Sequence, residues 1–107
     1  MISRITTIVP TDYLAEFEKC LRKAGVPGMT IDNVKGFGQH ANYFSDDLLR
    51  SNVRIEVLAN QDKCVEICAA IKSHATQSHI LAGILVIESV DCLIDLNSGQ
   101  EVKAESL

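Results

Sequence analysis

The first residues of the chain alternate between apolar and polar side chains, as a β-strand does. Residues 2–9 are rich in β-branched types, which favour strands, and Pro10 is expected to end the element. Thr11 is the predicted cap of a following helix, and Gly25 occupies the place of the left-handed residue that closes one. Apolar residues at spacings of three and four predict one buried face of this helix: Leu14, Phe17, Cys20, Leu21 and Ala24.

Two further alternating segments, residues 29–35 and 53–59, predict a second and a third strand. Residues 39–52 between them follow neither period and are expected to form an exposed loop. Asn60 is the predicted cap of a second helix. The buried face of that helix is predicted to consist of Val65, Cys68, Ile71 and Ala75. Residues 83–87 (GILVI) are continuously apolar, which is typical of a strand buried on both faces.

This order of elements predicts a ferredoxin-like α+β domain over residues 1–97. Two βαβ halves pack as a four-stranded antiparallel sheet, with both helices on one face. A short element over residues 90–96 and a turn follow, and residues 98–107 are expected to be a mobile tail. No segment remains to cover the second face of the sheet. We therefore expect an oligomer in which the sheets of neighbouring subunits face inward.

Composition narrows the class of protein. The chain has 107 residues, of which 47% are hydrophobic, and this content excludes intrinsic disorder. A formal net charge of −4 without a basic cluster argues against nucleic acid and anionic lipid as partners. No signal peptide is recognisable, and no apolar stretch reaches the ~18 residues that a membrane span needs. We expect a cytoplasmic protein without direct membrane insertion.

The side chains that could carry catalysis or bind metals are dispersed. Three histidines, at positions 40, 74 and 79, fit no metal-binding frame, and Asp46–Asp47 is expected to be solvated. We predict no catalytic residues, no metal site and no required cofactor. The four cysteines (Cys20, Cys64, Cys68 and Cys92) are expected to be small buried side chains in a reducing compartment. A metal or redox pair at Cys64 and Cys68 is the alternative.

A pair of glycines at the end of the second strand is the most informative motif. The sequence VKGFG at residues 34–38 follows a turn with the sequence GVPGMT. In this order of elements it resembles the PII signalling-protein family, over nearly the whole chain, and the chain is similar to its divergent members. The resemblance implies a homotrimer that binds an adenine nucleotide between subunits. It also implies that the loop at 39–52, equivalent to the family's T-loop, docks on a membrane transporter or a metabolic enzyme.

The resemblance also implies which residues bind the nucleotide. Gly36 and Gly38 would let the backbone approach the ligand, Ile8 and Leu58 would flank the base, and a neighbouring chain would contribute polar groups. The full set carried over is Ile8, Thr30, Gly36, Phe37, Gly38, Gln39, Glu56, Leu58 and Gly83. The apolar anchors for a partner in the loop would be Tyr43, Phe44, Leu48 and Leu49.

The chain departs from the family pattern where phosphates would bind. The family's phosphate-binding loop falls at residues 79–84, where only Gly83 is kept. The family's two C-terminal arginines fall at Asp95 and Asn97, and a carboxylate there would repel a triphosphate. We therefore expect ADP, AMP, a cyclic nucleotide or a small anion rather than tightly bound ATP. The loop is short, and Tyr43 lies outside the family's modified-tyrosine context.

Two other functions fit the same sequence. A metal-responsive trimer could use the histidines and cysteines as ligands. An interaction module with the same fold could act without any ligand. The regulated pathway, in nitrogen or in inorganic-carbon (bicarbonate) metabolism, stays open at this point.

Overall fold

The computed structural model describes residues 1–36, 50–78 and 83–107. Four strands and two helices make up the domain: β1 Ile2–Pro10, α1 Leu14–Lys23, β2 Thr30–Gly36, β3 Arg50–Asn60, α2 Gln61–Gln77 and β4 Ile84–Val90. Short elements complete it: a 3₁₀ turn at Thr11–Tyr13, the strands β5 Ile94–Asp95 and β6 Gln100–Glu101, and a 3₁₀ turn at Ala104–Ser106.

The four long strands form one antiparallel sheet in the order β2-β3-β1-β4. This order confirms the ferredoxin-like α+β fold. Both helices pack on one face of the sheet. Its core contains Ile5 and Val9 of β1 and alternate residues of β3, together with the helix residues that face them: Phe17, Leu21, Cys64, Ile67, Cys68 and Ile71.

The backbone groups at the two ends of helix α1 are satisfied in different ways. Thr11 does not cap it through its side chain, because Thr11 Oγ1 donates to Ser51 Oγ at 3.3 Å and the helix follows a 3₁₀ turn. At the other end Gly25 has φ +85°, and the amides of Gly25 and Val26 bond back to Arg22 and Leu21. This closure is a Schellman motif, as the glycine predicted.

Asn60 caps the helix α2, as predicted, by accepting a hydrogen bond from the Asp62 amide at 3.0 Å. The predicted buried face is wrong at one position, because Val65 is 77% exposed. The buried stripe instead begins one residue earlier, and its spacings of three and four make it continuous: Cys64, Ile67, Cys68 and Ile71.

The prediction of four buried cysteines is wrong for Cys92, which is exposed beyond the end of β4. Cys20 is half-buried, and Cys64 and Cys68 are buried. All four thiols are free, and the two sulfurs of the α2 pair lie 3.8 Å apart.

The face of the sheet away from the helices, which we call the open face, carries two bidentate ion pairs. Arg4 of β1 binds Glu88 of β4 at 3.2 and 3.0 Å. Arg54 of β3 binds Asp32 of β2 at 3.1 and 2.6 Å. Glu56 of β3, opposite Thr6 and Thr30, is a third carboxylate on this face.

The strand β4 lies at the edge of the sheet, and the single chain does not bury it on both faces. Val86 on the open face is 38% exposed, and Ile87 on the helix side is 54% exposed. Ile87 is exposed because neither helix reaches over this edge strand, although its neighbour Ile5 is fully buried.

The end of the predicted loop and the structure of the predicted tail also differ from expectation. The third strand begins at Arg50 rather than Val53, so the segment expected to be a loop ends earlier. Residues 98–107, expected to be a mobile tail, contain β6, which pairs with β5, and a 3₁₀ turn that contacts α2. Gly99, at φ +73°, makes the turn between the two short strands.

Candidate ligand site

Three of the residues predicted to bind a nucleotide meet at one cavity. Thr30 at the start of β2 lies directly opposite Glu56 of β3, and Leu58 follows two residues later on the same face. Together with the turn at residues 27–29 they line an open cavity of about 360 Å³. Leu107 completes the lining. The cavity therefore combines apolar walls with a hydroxyl and a carboxylate.

The carboxylate of Glu56 lies between two arginines of the open face. Its charge helps to raise the pKa of Arg4 and of Arg54, although each guanidinium has a closer partner. Hydrogen bonds with Glu88 and Asp32, respectively, are the main cause of both upward pKa shifts. Both cations are already bound to carboxylates, so the field around the cavity is balanced rather than positive.

A second group of predicted residues meets where β4 begins. Gly83 has φ +151°, and a Cβ added there would lie 3.0 Å from the Ile8 carbonyl oxygen and 3.1 Å from Val9 Cγ1. Only a glycine lets the chain approach β1 this closely. Ile8 and Gly83 are thus neighbours, as a shared site requires.

The predicted residues do not converge on one point within a single chain. Gly36 ends β2, six residues beyond Thr30, which is about 20 Å along an extended strand. Gly83 precedes the strand at the far side of the sheet. From Thr30 it is three strand spacings, or about 14 Å, across the sheet and a further three residues, or about 10 Å, along it. The cavity, Gly36 and the Gly83 region are therefore separate parts of this chain.

Several predicted residues lie outside the described residues. They are the nucleotide contacts Phe37, Gly38 and Gln39 and the loop anchors Tyr43, Phe44, Leu48 and Leu49. Their roles stay predictions.

Asp95 and Asn97, which the resemblance aligns with two arginines of the family, have a local structural role. Asp95 Oδ1 accepts a hydrogen bond from the Asn97 amide at 2.8 Å, and the Asp95 carbonyl accepts one from the Gly99 amide at 2.7 Å. These bonds form the turn of the β5–β6 hairpin. An acidic side chain here stabilises the turn and brings no positive charge.

Sequence reasoning missed two contributors to the cavity. The turn at residues 27–29 was recognised only as a turn, although it forms one side of the cavity. Leu107 was assigned to a mobile tail, and nothing in its sequence neighbourhood signals a role. A pattern based on periodicity cannot find it, because it belongs to no regular element long enough to show one.

Among residues 1–36, 50–78 and 83–107, no three His, Cys, Asp or Glu side chains lie close enough together to hold a metal ion. His74 is the one histidine in these ranges. It packs edge-on against Phe17 with ring centroids 4.8 Å apart, and its Nε2 is 3.8 Å from Glu16 Oε2. His40 and His79 lie outside the described residues.

Within the parts of the chain that are described, neither helix has the combination of length and apolar character needed to cross a membrane.

Comparison with known proteins assigns a family to this arrangement. The family model described as "Nitrogen regulatory protein P-II" matches residues 2–95. The protein of that name from Cereibacter sphaeroides is 30% identical to the chain, over 92% of this chain and 95% of the relative. The one from Pasteurella multocida is 28% identical, over 94% of this chain and 96% of the relative. One from Mesorhizobium japonicum is 26% identical, over 92% of this chain and 95% of the relative. Because the family model spans most of the chain, the chain belongs to the P-II family of nitrogen regulatory proteins.

Proposed function

We propose that this P-II protein is a non-enzymatic homotrimeric regulator that binds an adenine nucleotide in clefts between its subunits. ADP, AMP or a cyclic nucleotide is the ligand class, in preference to tightly bound ATP. Binding is signalled to a membrane transporter or a metabolic enzyme through residues 39–49. The protein works in the cytoplasm, in nitrogen or inorganic-carbon metabolism.

The separation of the predicted contacts is the observation that carries this proposal. Thr30, Glu56 and Leu58 share one cavity, whereas Gly36 lies about 20 Å from Thr30 along β2. A single nucleotide cannot join these parts within one chain. Two chains that bring the cavity of one against Gly36 and Ile8 of the other would form one continuous site.

Exposed apolar side chains support self-association. Val86 and Ile87 of the edge strand are exposed in the single chain, although strands this apolar are usually covered. Both helices lie on the other side of the sheet, and Leu107 reaches the open face beside the cavity. A neighbouring copy that packs on this face would bury Val86 and would shield the two ion pairs from water.

The charges around the cavity support a ligand with few phosphates. Glu56 contributes a negative charge, and Arg4 and Arg54 are bound to carboxylates of their own. Asp95 stands where the family has an arginine. A nucleobase suits the mixed apolar and polar lining of the cavity, since the faces of a base are apolar and its edge carries hydrogen-bonding groups.

The test is calorimetric titration of the purified protein with ATP, ADP, AMP and cyclic AMP, with native mass spectrometry for the assembly. The variant Thr30→Val/Glu56→Gln should weaken binding at least about tenfold, because it removes two polar contacts, one of them charged. Glu66→Gln, on the exposed side of α2, is the matched control and should bind as the wild type does.

Each result of this titration is informative. Binding that is weakened in the cavity variant alone would support the proposal. A trimer that binds no adenine nucleotide would contradict it and would favour an interaction module without a ligand. ATP bound far more tightly than ADP and AMP would contradict the preference for few phosphates.

A further inference from the structure

The last residues of the chain cross over the start of α2 and reach the candidate cavity. We call residues 104–107 the strap. Two side chains hold it: Asn60 Nδ2 donates to the Ala104 carbonyl at 3.2 Å, and Lys63 Nζ donates to the Leu107 carbonyl at 3.1 Å. Both donors belong to the β3–α2 junction, Asn60 at the end of β3 and Lys63 in the first turn of α2. The strap is therefore attached to the element that also carries Glu56 and Leu58.

Asn60 links the strap to the helix directly. Its Oδ1 accepts from the Asp62 amide and caps α2, while its Nδ2 donates to the strap. Both ends of one amide are thus satisfied, which fixes its orientation. The position of the strap is consequently coupled to the N-terminus of α2.

The strap brings Leu107 to the cavity. Leu107 is half-buried there and lines the same space as Leu58, Thr30 and Glu56. The cavity keeps its volume of about 360 Å³ with Leu107 in place, so this side chain forms a wall and does not plug the space. The strap also lies outside residues 2–95, the range that the family model matches.

We propose that Leu107 is a further ligand-contacting residue of this cavity, held in place by Lys63. Leu58 and Leu107 provide apolar surface for a planar nucleobase, and Thr30 and Glu56 provide hydrogen-bonding groups at its edge. This inference rests on the proposed function, because it concerns the same cavity. It adds a second apolar contact for the base end of the ligand, beside that of Leu58.

Because the side chain of Leu107 forms a wall of the cavity, its truncation should weaken ligand binding rather than open the cavity to the ligand. Truncation in Leu107→Ala removes apolar contact with the base, and we expect the dissociation constant of AMP to rise about tenfold. Lys63→Met keeps the aliphatic length of the side chain but removes the donor. The strap then loses one attachment, and we expect a smaller increase of about threefold.

The experiment is titration of the full chain with AMP and with ribose 5-phosphate, which lacks the base. The variants are Leu107→Ala and Lys63→Met, and the control is Lys72→Met, the same change at an exposed position further along α2. Hydrogen exchange of residues 102–107 in each variant reports directly on the strap. Thermal unfolding confirms that the variants fold.

The expected result is weaker AMP binding in both strap variants, unchanged binding in the control, and faster exchange of the strap in Lys63→Met. Binding of ribose 5-phosphate should be insensitive to Leu107. Wild-type affinity in Leu107→Ala, or tighter binding, would overturn this inference alone. A wild-type protein that binds no AMP would overturn it together with the proposed function.

Discussion

The reactivity of the cysteines is set residue by residue, by burial. Burial, and then the hydrogen bond with Cys64, raises the pKa of Cys68 to about 11. At pH 8 only about a thousandth of such a thiol is ionised, and the thiolate is the reactive form. Cys92 is exposed. We predict that iodoacetamide modifies Cys92 in the native protein and Cys68 only after unfolding, as mass spectrometry of the labelled peptides would establish. Equal labelling rates in the native state would contradict this.

Gly83 is the residue at which backbone geometry is most demanding. A Cβ at this position would lie 3.0 Å from the Ile8 carbonyl oxygen, a backbone atom that cannot move without disturbing β1. Gly83→Ala should therefore lower the free energy of unfolding by about 1–3 kcal/mol, measured by urea denaturation. Gly28→Ala is the control, because a Cβ there meets nothing within 4 Å. Equal stability of the two variants would show that β1 and β4 are not this close.

The salt bridge between Asp32 of β2 and Arg54 of β3 makes a contribution to stability that varies with pH. Hydrogen bonds from Arg54 hold the pKa of Asp32 below its usual value of 3.8. A carboxyl whose pKa is lowered by folding stabilises the protein above its unfolded pKa, and this contribution is lost as the pH falls through the folded pKa. Asp32→Asn should thus be less stable than the wild type at pH 6–8.

The difference in unfolding free energy between the wild type and Asp32→Asn should then shrink as the pH falls below the pKa that Asp32 has in the unfolded chain. Urea denaturation from pH 7 to pH 2.5 measures it. Asp91→Asn, at an exposed carboxylate beyond the end of β4 and outside the ion pairs of the described residues, should match the wild type throughout. A difference that persists undiminished at the lowest pH would mean that the Asp32 side chain contributes something other than charge.

The long elements could be predicted from the sequence because each has enough residues to show its period. β1 and α1 were found in this way, and so was the cap at Asn60. The stripe of α2 is misassigned at Val65 because Cys64 and Val65 precede Cys68 by four and three residues, so either one fits the helical spacing. β6 was missed because two residues cannot show a period. The start of β3 was missed because Arg50–Asn52 is polar, and its pairing with β2 is a long-range contact.

The candidate site could be predicted only in part, for a related reason. Thr30, Glu56 and Leu58 converge on one cavity because they lie on paired strands, and strand pairing follows from the fold. Leu107 reaches the same cavity through two side-chain hydrogen bonds to the β3–α2 junction. No local pattern encodes such contacts.

The assembly of the whole molecule depends on the open face of the sheet. Val86→Asp would place an unpaired charge in the proposed subunit interface, where desolvation is costly. We predict that native mass spectrometry finds the wild type at three times 11.7 kDa and this variant as a monomer. Val65→Asp, on the solvent side of α2, should remain a trimer. A wild type that is monomeric at micromolar concentration would contradict the proposed assembly.

The central claim is that each nucleotide site is completed by two chains, and mixed trimers test it most directly. Neither Gly36→Val nor Thr30→Val/Glu56→Gln should bind AMP well alone. After the two are unfolded and refolded together, each mixed trimer should regain one intact cleft of its three, which titration and native mass spectrometry would detect. Recovery of about one AMP per mixed trimer is the predicted result. Mixed trimers that bind no AMP, although wild-type trimers do, would mean that each site belongs to a single chain.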